Sequence, residues 1–381
     1  MKTGSADLPL HSGKCPSWLF EHMKKLSTAI IEVILEESGS SEVLRRLSDP
    51  YWFQSLGCVA GFDWHSSGLT TTVCGAIKEG LSSLNTGIFF AGGKGKTALN
   101  TPKEIEQIAD KIPLQTSPSS LIYASKMAAK VDNAAVQDGY QIYHHFFVFT
   151  ASGEWAVIQQ GMNERLKQAR RYHWLSLNLN SFTEEPHTAI CCDKKGETLN
   201  LVSHKNSDLR SLSIQIAELK PEKILHELNL ISHLKMPPHH TIPNTKYLDK
   251  SLRALYENRP EDFEKLLSIK GVGPRTLRAL CLVAEVAYGA KPSFEDPVRY
   301  SFAHGGKDGF PFPVNEKDIE NSYQTLRRAL KKAKAGHAES LRTLKRLAEW
   351  HSKTVNIRAT PELFEEKTNF NHQIITQSTL F

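Results

Sequence analysis

The sequence predicts a mixed α+β protein in two parts. An N-terminal part with β-hairpins covers residues 1–205, an all-α part covers 206–358, and a C-terminal tail runs over 359–381. Three observations predict this. Apolar residues recur at helical spacing through the first third of the chain. The pattern changes around 140–160, where two apolar, β-branched and aromatic runs flank a Ser-Gly turn. From Ser207 onward nearly every segment returns to helical spacing. At 381 residues the chain is long enough for two or three domains of about 100–200 residues each. No apolar run reaches the ~18 residues a membrane span needs, and the N-terminus MKTGSADLPLHSGK has no apolar signal core. The six cysteines contain no Cys-x-x-Cys pair, so a cytoplasmic protein with reduced thiols and no structural zinc is expected.

Each element has its own reason. Leu19, Met23, Leu26, Ile30 and Ile34 share one face of a helix over 16–37. A short helix follows at 42–47. Asp49 and Pro50 read as the N-cap and first residue of a third, because Asp accepts orphan amides and Pro has none to orphan. Ser66 or Ser67 caps a fourth, with Val73 and Ile77 inward. Residues 87–90 read as a short buried strand. Thr101-Pro-Lys-Glu104 has capping-box spacing and opens a helix to about Ile112; another covers 121–131. Strands at 140–150 and 154–160 form a hairpin through Ala151-Ser-Gly153, and strands at 187–193 and 198–204 form a second through Lys194-Lys-Gly196. Helices are then expected at 207–219, 221–232, 246–256, 261–268, 274–288, 316–335 and 338–350.

The charge is localised. Residues 321–358 hold ten basic and two acidic side chains, so this block carries +8 of a net +6 and the remainder sums to −2. Apolar stripes through Leu326, Leu330 and Ala333, and through Leu341, Leu344, Leu347 and Trp350, are expected to pack inward. Arg327, Arg328, Lys331, Lys332, Arg342, Lys345 and Arg346 are then left to meet a polyanion.

The sharpest motif is Leu266-Leu-Ser-Ile-Lys-Gly-Val-Gly-Pro-Arg-Thr-Leu-Arg278, which resembles the helix-hairpin-helix DNA-binding module. Gly271 and Gly273 permit a tight turn whose amides, with the second helix's N-terminus, can face a phosphate. Val272 would fill the space between the helices. Lys270, Arg275 and Arg278 would supply charge, with Thr276 in the same turn, and such contacts position a duplex without reading bases. In helix-hairpin-helix glycosylases a catalytic Asp follows the second helix, a place that Asp296 in Phe294-Glu-Asp-Pro-Val-Arg299 takes by resemblance. Arg275 stands where bifunctional members carry their Schiff-base Lys. A plain N-cap before Pro297 is the competing reading of Asp296.

The segments Met1-Lys-Thr-Gly-Ser-Ala-Asp-Leu-Pro-Leu-His11, Gly61-Phe-Asp-Trp-His-Ser-Ser-Gly68, Ala91-Gly-Gly-Lys-Gly-Lys96, Gln137-Asp-Gly-Tyr-Gln141, His144-His-Phe-Phe147 and Ala303-His-Gly-Gly-Lys-Asp-Gly309 together resemble domain-of-unknown-function family 763. That prokaryotic family implies a shared architecture over most of residues 1–315 and carries no assigned reaction.

Ala91-Gly-Gly-Lys-Gly-Lys-Thr97 follows a strand, but a P-loop wants Gly five places before Gly95, where Phe90 stands, and the next helix is expected only at Thr101. Gly92, Gly93, Lys94, Gly95 and Lys96 read instead as a contact for a nucleic-acid backbone. Asp63, His65, Asp138, His144, His145 and His173 are the densest supply of acid, base and metal-ligand chemistry. His144 and His145 must point to opposite faces of a strand, so one of them joins a given site. The candidate catalytic set is Asp63, His65, Asp138 and His145, with Asp296 and His304. Glu154 and Gln159 are available to help hold Mg²⁺ or Mn²⁺ for phosphodiester hydrolysis. Structural roles for most of these histidines are the competing expectation.

Gln377-Ser-Thr-Leu-Phe381 resembles the Gln-x-x-Leu-Phe peptide by which bacterial repair and replication proteins dock on the sliding clamp. Leu380 and Phe381 would anchor in a pocket while Gln377 bonds at its rim. The expected function is DNA binding in repair, replication or recombination, with a metal-dependent nuclease as the favoured reaction. The alternatives are a glycosylase using Asp296 and a non-enzymatic adaptor docked on the clamp.

Overall fold

The computed structural model describes residues 15–62, 66–192, 196–236 and 242–298, together with 324, 326–328 and 345–347. Four helices come first: α1 (Ser17–Ser38), α2 (Ser40–Ser48), α3 (Pro50–Val59) and α4 (Gly68–Leu81). Asp49 caps α3 as its sequence requires, accepting from the amides of Tyr51 and Trp52 at 2.8 and 3.1 Å. Ser66 Oγ accepts the Gly68 amide at 3.2 Å, and Val73 and Ile77 are buried along α4.

The strands are β1 (Ile88–Lys94), β2 (Val136–Gln137), β3 (Gln141–Thr150), β4 (Trp155–Asn163), β5 (Gln168–Leu175), β6 (Ala189–Cys191) and β7 (Leu199–Asn200). Five of them make an antiparallel sheet in the order β1-β3-β4-β5-β6, and β2 pairs with β7. Because side chains alternate, one face presents Phe90, Phe146, Val148, Ile158 and Leu175 to α1–α4. The other presents Ala91, Phe147, Phe149, Val157 and Trp174 to the helices that follow. Both faces are covered, so β5 is buried at every position although its sequence, Gln-Ala-Arg-Arg-Tyr-His-Trp-Leu, shows no apolar alternation.

Three expectations need correction. β6 and β7 are not a hairpin: β6 pairs with β5, and β7 pairs with β2 across the chain. Thr101 and Glu104 form no capping box. The N-cap of α6 (Thr101–Ala109) is Asn100, while Glu104 accepts the Gly92 amide at 3.0 Å and pairs with Lys78 at 2.5 Å. The helix following β1 starts early, as the four-residue α5 (Lys96–Leu99).

α7 (Pro118–Lys130) runs into a π turn at Val131–Ala135. Further helices are α8 (Ser207–Ala217), α9 (Pro221–Ser232), α10 (Asp249–Asn258), α11 (Phe263–Ser268) and α12 (Pro274–Tyr288), and residues 324, 326–328 and 345–347 are also helical. They share one apolar cluster with the sheet, including Phe147, Val157, Leu209, Leu228, Leu252, Leu266 and Leu277, so the core runs without a break across residues 205 and 206. In the basic block, Leu326 and Leu347 are buried against the α1–α4 cluster. Arg327, Arg328 and Lys345 are exposed, and half-buried Arg346 donates to the Val59 carbonyl at 3.5 Å. Lys331, Lys332 and Arg342 lie outside the described residues, as do 359–381.

Candidate functional site

The hairpin is built from α11, a turn over 269–273, and α12. Asp262 caps α11 by accepting the Lys265 amide at 2.6 Å. Gly271 has φ +94°, a conformation that side-chain-bearing residues rarely adopt, which is why glycine stands there. Val272 turns inward to 2% exposure and joins the core. A Cβ at Gly271 or Gly273 would meet nothing within 4 Å, so this turn faces open space. Lys270 and Arg275 are exposed beside it. The other two residues in the motif are spent on the fold: Thr276 is buried against Ser251 at 2.8 Å, and Arg278 donates to Gln137 at 2.8 Å. Lys130 donates to the Ile269 carbonyl at 3.2 Å and Gln137 to the Pro274 carbonyl at 3.0 Å. The hairpin is therefore tied to α7 and β2, with its turn outward.

The amides of Gly92 and Gly95 are both bonded within the fold. The Gly92 amide is given to Glu104, and a Cβ there would lie 2.2 Å from the His145 carbonyl oxygen. Gly93 and Lys94 pair in register with His145 and His144, and the Gly95 amide donates to the Tyr143 carbonyl at 2.8 Å. What this segment leaves outward is charge, on the exposed side chains of Lys94 and Lys96.

The buried polar residues form two networks on one face of the sheet. Gln159 donates to Asp132 at 2.5 Å, so its carbonyl oxygen accepts from His145 Nδ1 at 2.8 Å. The neutral ring then accepts the Ser125 hydroxyl at Nε2, also at 2.8 Å. Burial lowers the His145 pKa and keeps the ring neutral. Asp132 also accepts from Trp174 Nε1 at 3.0 Å and contacts His187 Nε2 at 2.5 Å. A hydroxyl on a neutral imidazole is nucleophile-and-base geometry. Ser125 is 2% exposed, however, and Ser125, His145, Gln159 and Asp132 are all buried, with half-buried His187 at the end of the chain. Glu154 is not part of it; it accepts from Ser41 at 2.6 Å.

The second network centres on Arg170, 2% exposed and stacked 4.5 Å from the Tyr140 ring centroid. Its guanidinium donates to Asp138 at 2.9 Å and to Asp296 at 2.8 Å. Asp138 also accepts from the Tyr172 hydroxyl at 2.6 Å, and Asp296 from the amides of Gly196 and Val298 at 2.8 and 3.0 Å. Burial alone would lower the pKa of Arg170, but the carboxylates outweigh it and hold the guanidinium cationic.

On the opposite face one polar row crosses the whole sheet: Lys94, His144, Gln160, Arg171 and Cys191 are successive cross-strand partners. Arg171 donates to Gln54 at 3.0 Å, Thr70 at 3.2 Å and His173 at 2.9 Å, and burial brings its pKa down to about 10. Both ring nitrogens of His144 are buried without a partner, and burial pushes its pKa down to about 3.

The structure thus gathers Asp138 and Asp296 on one arginine and places His145 in a separate network on the same face; Asp63, His65 and His304 lie outside the described residues. Ser125, Asp132, Arg170 and His187 were not nominated from the sequence, and no local spacing announces them. Among the described residues no group of three or more His, Cys, Asp and Glu side chains is arranged to hold a metal ion, and no helix is long and apolar enough to cross a membrane.

A family model described as a protein of unknown function (DUF763) matches residues 4–314. No curated protein and no solved structure matches the chain.

Proposed function

Since the chain belongs to the DUF763 family, whose description assigns no activity, we propose its function from its own residues: it grips the phosphate backbone of DNA through the α11–α12 hairpin, in repair, replication or recombination. One observation carries this reading. An outward Gly-Val-Gly turn, with Gly271 at φ +94° and Val272 buried, sets exposed Lys270 and Arg275 at the N-terminus of a 15-residue helix. The positive end of the helix, the turn amides and two cations all favour a phosphate there. Exposed Arg327, Arg328 and Lys345 add to the positive surface.

The enzymatic extension is a DNA-processing hydrolase using Mg²⁺ or Mn²⁺. No described residues form a ligand group for the ion, so no step is assigned to it. Glycosylase chemistry at Asp296 is disfavoured, because that carboxylate is committed to Arg170 and two amides. An adaptor docked on a sliding clamp through Gln377, Leu380 and Phe381 is the non-enzymatic alternative. Incubating the full chain with labelled duplex, forked and single-stranded DNA, with Mg²⁺, Mn²⁺ or a chelator, tests these together. Retarded complexes are expected in every condition, and cleavage in the metal arms alone marks the nuclease. Absence of any complex at micromolar protein and low salt contradicts the proposal.

A further inference from the structure

We propose that Tyr247 is a nucleobase-stacking site beside the hairpin, so that the preferred ligand is DNA in which a duplex adjoins unpaired bases, such as a fork. This rests on the DNA-binding reading above and names its substrate class.

Tyr247 is 64% exposed, although a tyrosine ring ordinarily finds partial burial in a fold of this size. Its position is fixed rather than loose. It ends a single 3-10 turn, Thr245–Tyr247, in which Asn244 accepts the Lys246 amide at 3.0 Å. The next residue, Leu248, is 1% exposed and anchors the turn in the core. α10 follows at once, and its Ser251 bonds Thr276 at 2.8 Å, tying the first turn of α10 to the first turn of α12. The ring therefore stands next to the end of α12 that faces a phosphate. Arg275 confirms the placement, its guanidinium lying 5.9 Å from the ring centroid.

The surroundings suit a nucleic acid. Lys246 adjoins Tyr247 in the chain, and Lys250, Lys270 and Arg275 are exposed on the first turn of α10 and on the hairpin, while Asp249 is paired with Arg253 at 2.9 Å. Cations around an aromatic platform are the arrangement by which bases are stacked without sequence preference. An intact duplex keeps its bases stacked on each other and offers none to the ring. Where a strand diverges from the duplex held by the hairpin, the first unpaired base is free to lie on the open face of Tyr247.

The test uses full-length protein and fluorescence anisotropy with a blunt duplex and a forked duplex of equal phosphate number, together with Tyr247→Ala and Tyr247→Phe. The wild type is expected to bind the fork about tenfold more tightly than the duplex, the size of one base–aromatic stack. Tyr247→Ala should lose that preference and keep its duplex affinity and salt slope, and Tyr247→Phe should retain the preference. A 2-aminopurine at the first unpaired position should be quenched by wild type and by the Phe variant, not by the Ala variant. Equal binding of fork and duplex by the wild type, or a preference that survives in the Ala variant, overturns the stacking site while leaving backbone binding in place. No binding to either probe overturns both readings.

Discussion

His144 is the residue whose chemistry is most exposed to experiment. Its two nitrogens are buried without partners and its pKa falls to about 3. Between that value and the unfolded value of 6.5, the unfolded chain binds a proton the native one does not. Its titration therefore leaves stability unaffected above pH 6.5 and lowers it progressively as pH falls from there towards 3. From pH 7.5 to 5 this group alone should remove about 2 kcal/mol. His144→Phe keeps a ring beside Phe146, deletes the unpartnered nitrogens and should flatten that acid limb, as urea titrations at several pH values would show. Arg170 makes the opposite case. Arg170→Met strands two buried carboxylates and should cost about 3–5 kcal/mol in urea unfolding. These roles were not legible in the sequence, because Arg170 and Asp296 stand 126 residues apart, and Asp132 and His187 stand 55 apart. Only the opposite facing of His144 and His145 followed from strand geometry alone.

Elements with a local cause could be read directly. Asp49-Pro50 opens α3 because the cap and the proline act within one turn, and the α11–α12 hairpin follows from its glycines and Val272. β5 escaped because long-range partners, not alternation, justify its Arg-Arg pair. The expected capping box failed for a similar reason: Glu104 found the Gly92 amide and Lys78, which are distant in sequence. The hairpin turn gives a paired prediction. Gly271→Ala puts a side chain at φ +94° and should cost about 1–3 kcal/mol from backbone strain alone, since no atom lies within reach of the new methyl. Gly273, at φ −142° and equally open, should accept Ala with little change. Thermal melts of the two variants would separate conformational need from packing.

At the scale of the whole molecule, a single apolar cluster joins the sheet to α8–α12, so the hairpin is packed into the same core as the sheet rather than carried on a tether. The mixed α and β composition was legible because helical and strand spacings differ; the continuity of the core was not, since spacing reports faces and not their partners. If the protein meets DNA at the hairpin turn as proposed, the salt dependence of duplex affinity reports it most directly. Each phosphate contact contributes about −0.9 to the slope of log K against log salt. Reversing Lys270 and Arg275 to Glu should weaken binding to duplexes of unrelated sequence alike and make the slope shallower by about 2. An unchanged slope and affinity in the double variant would contradict the account.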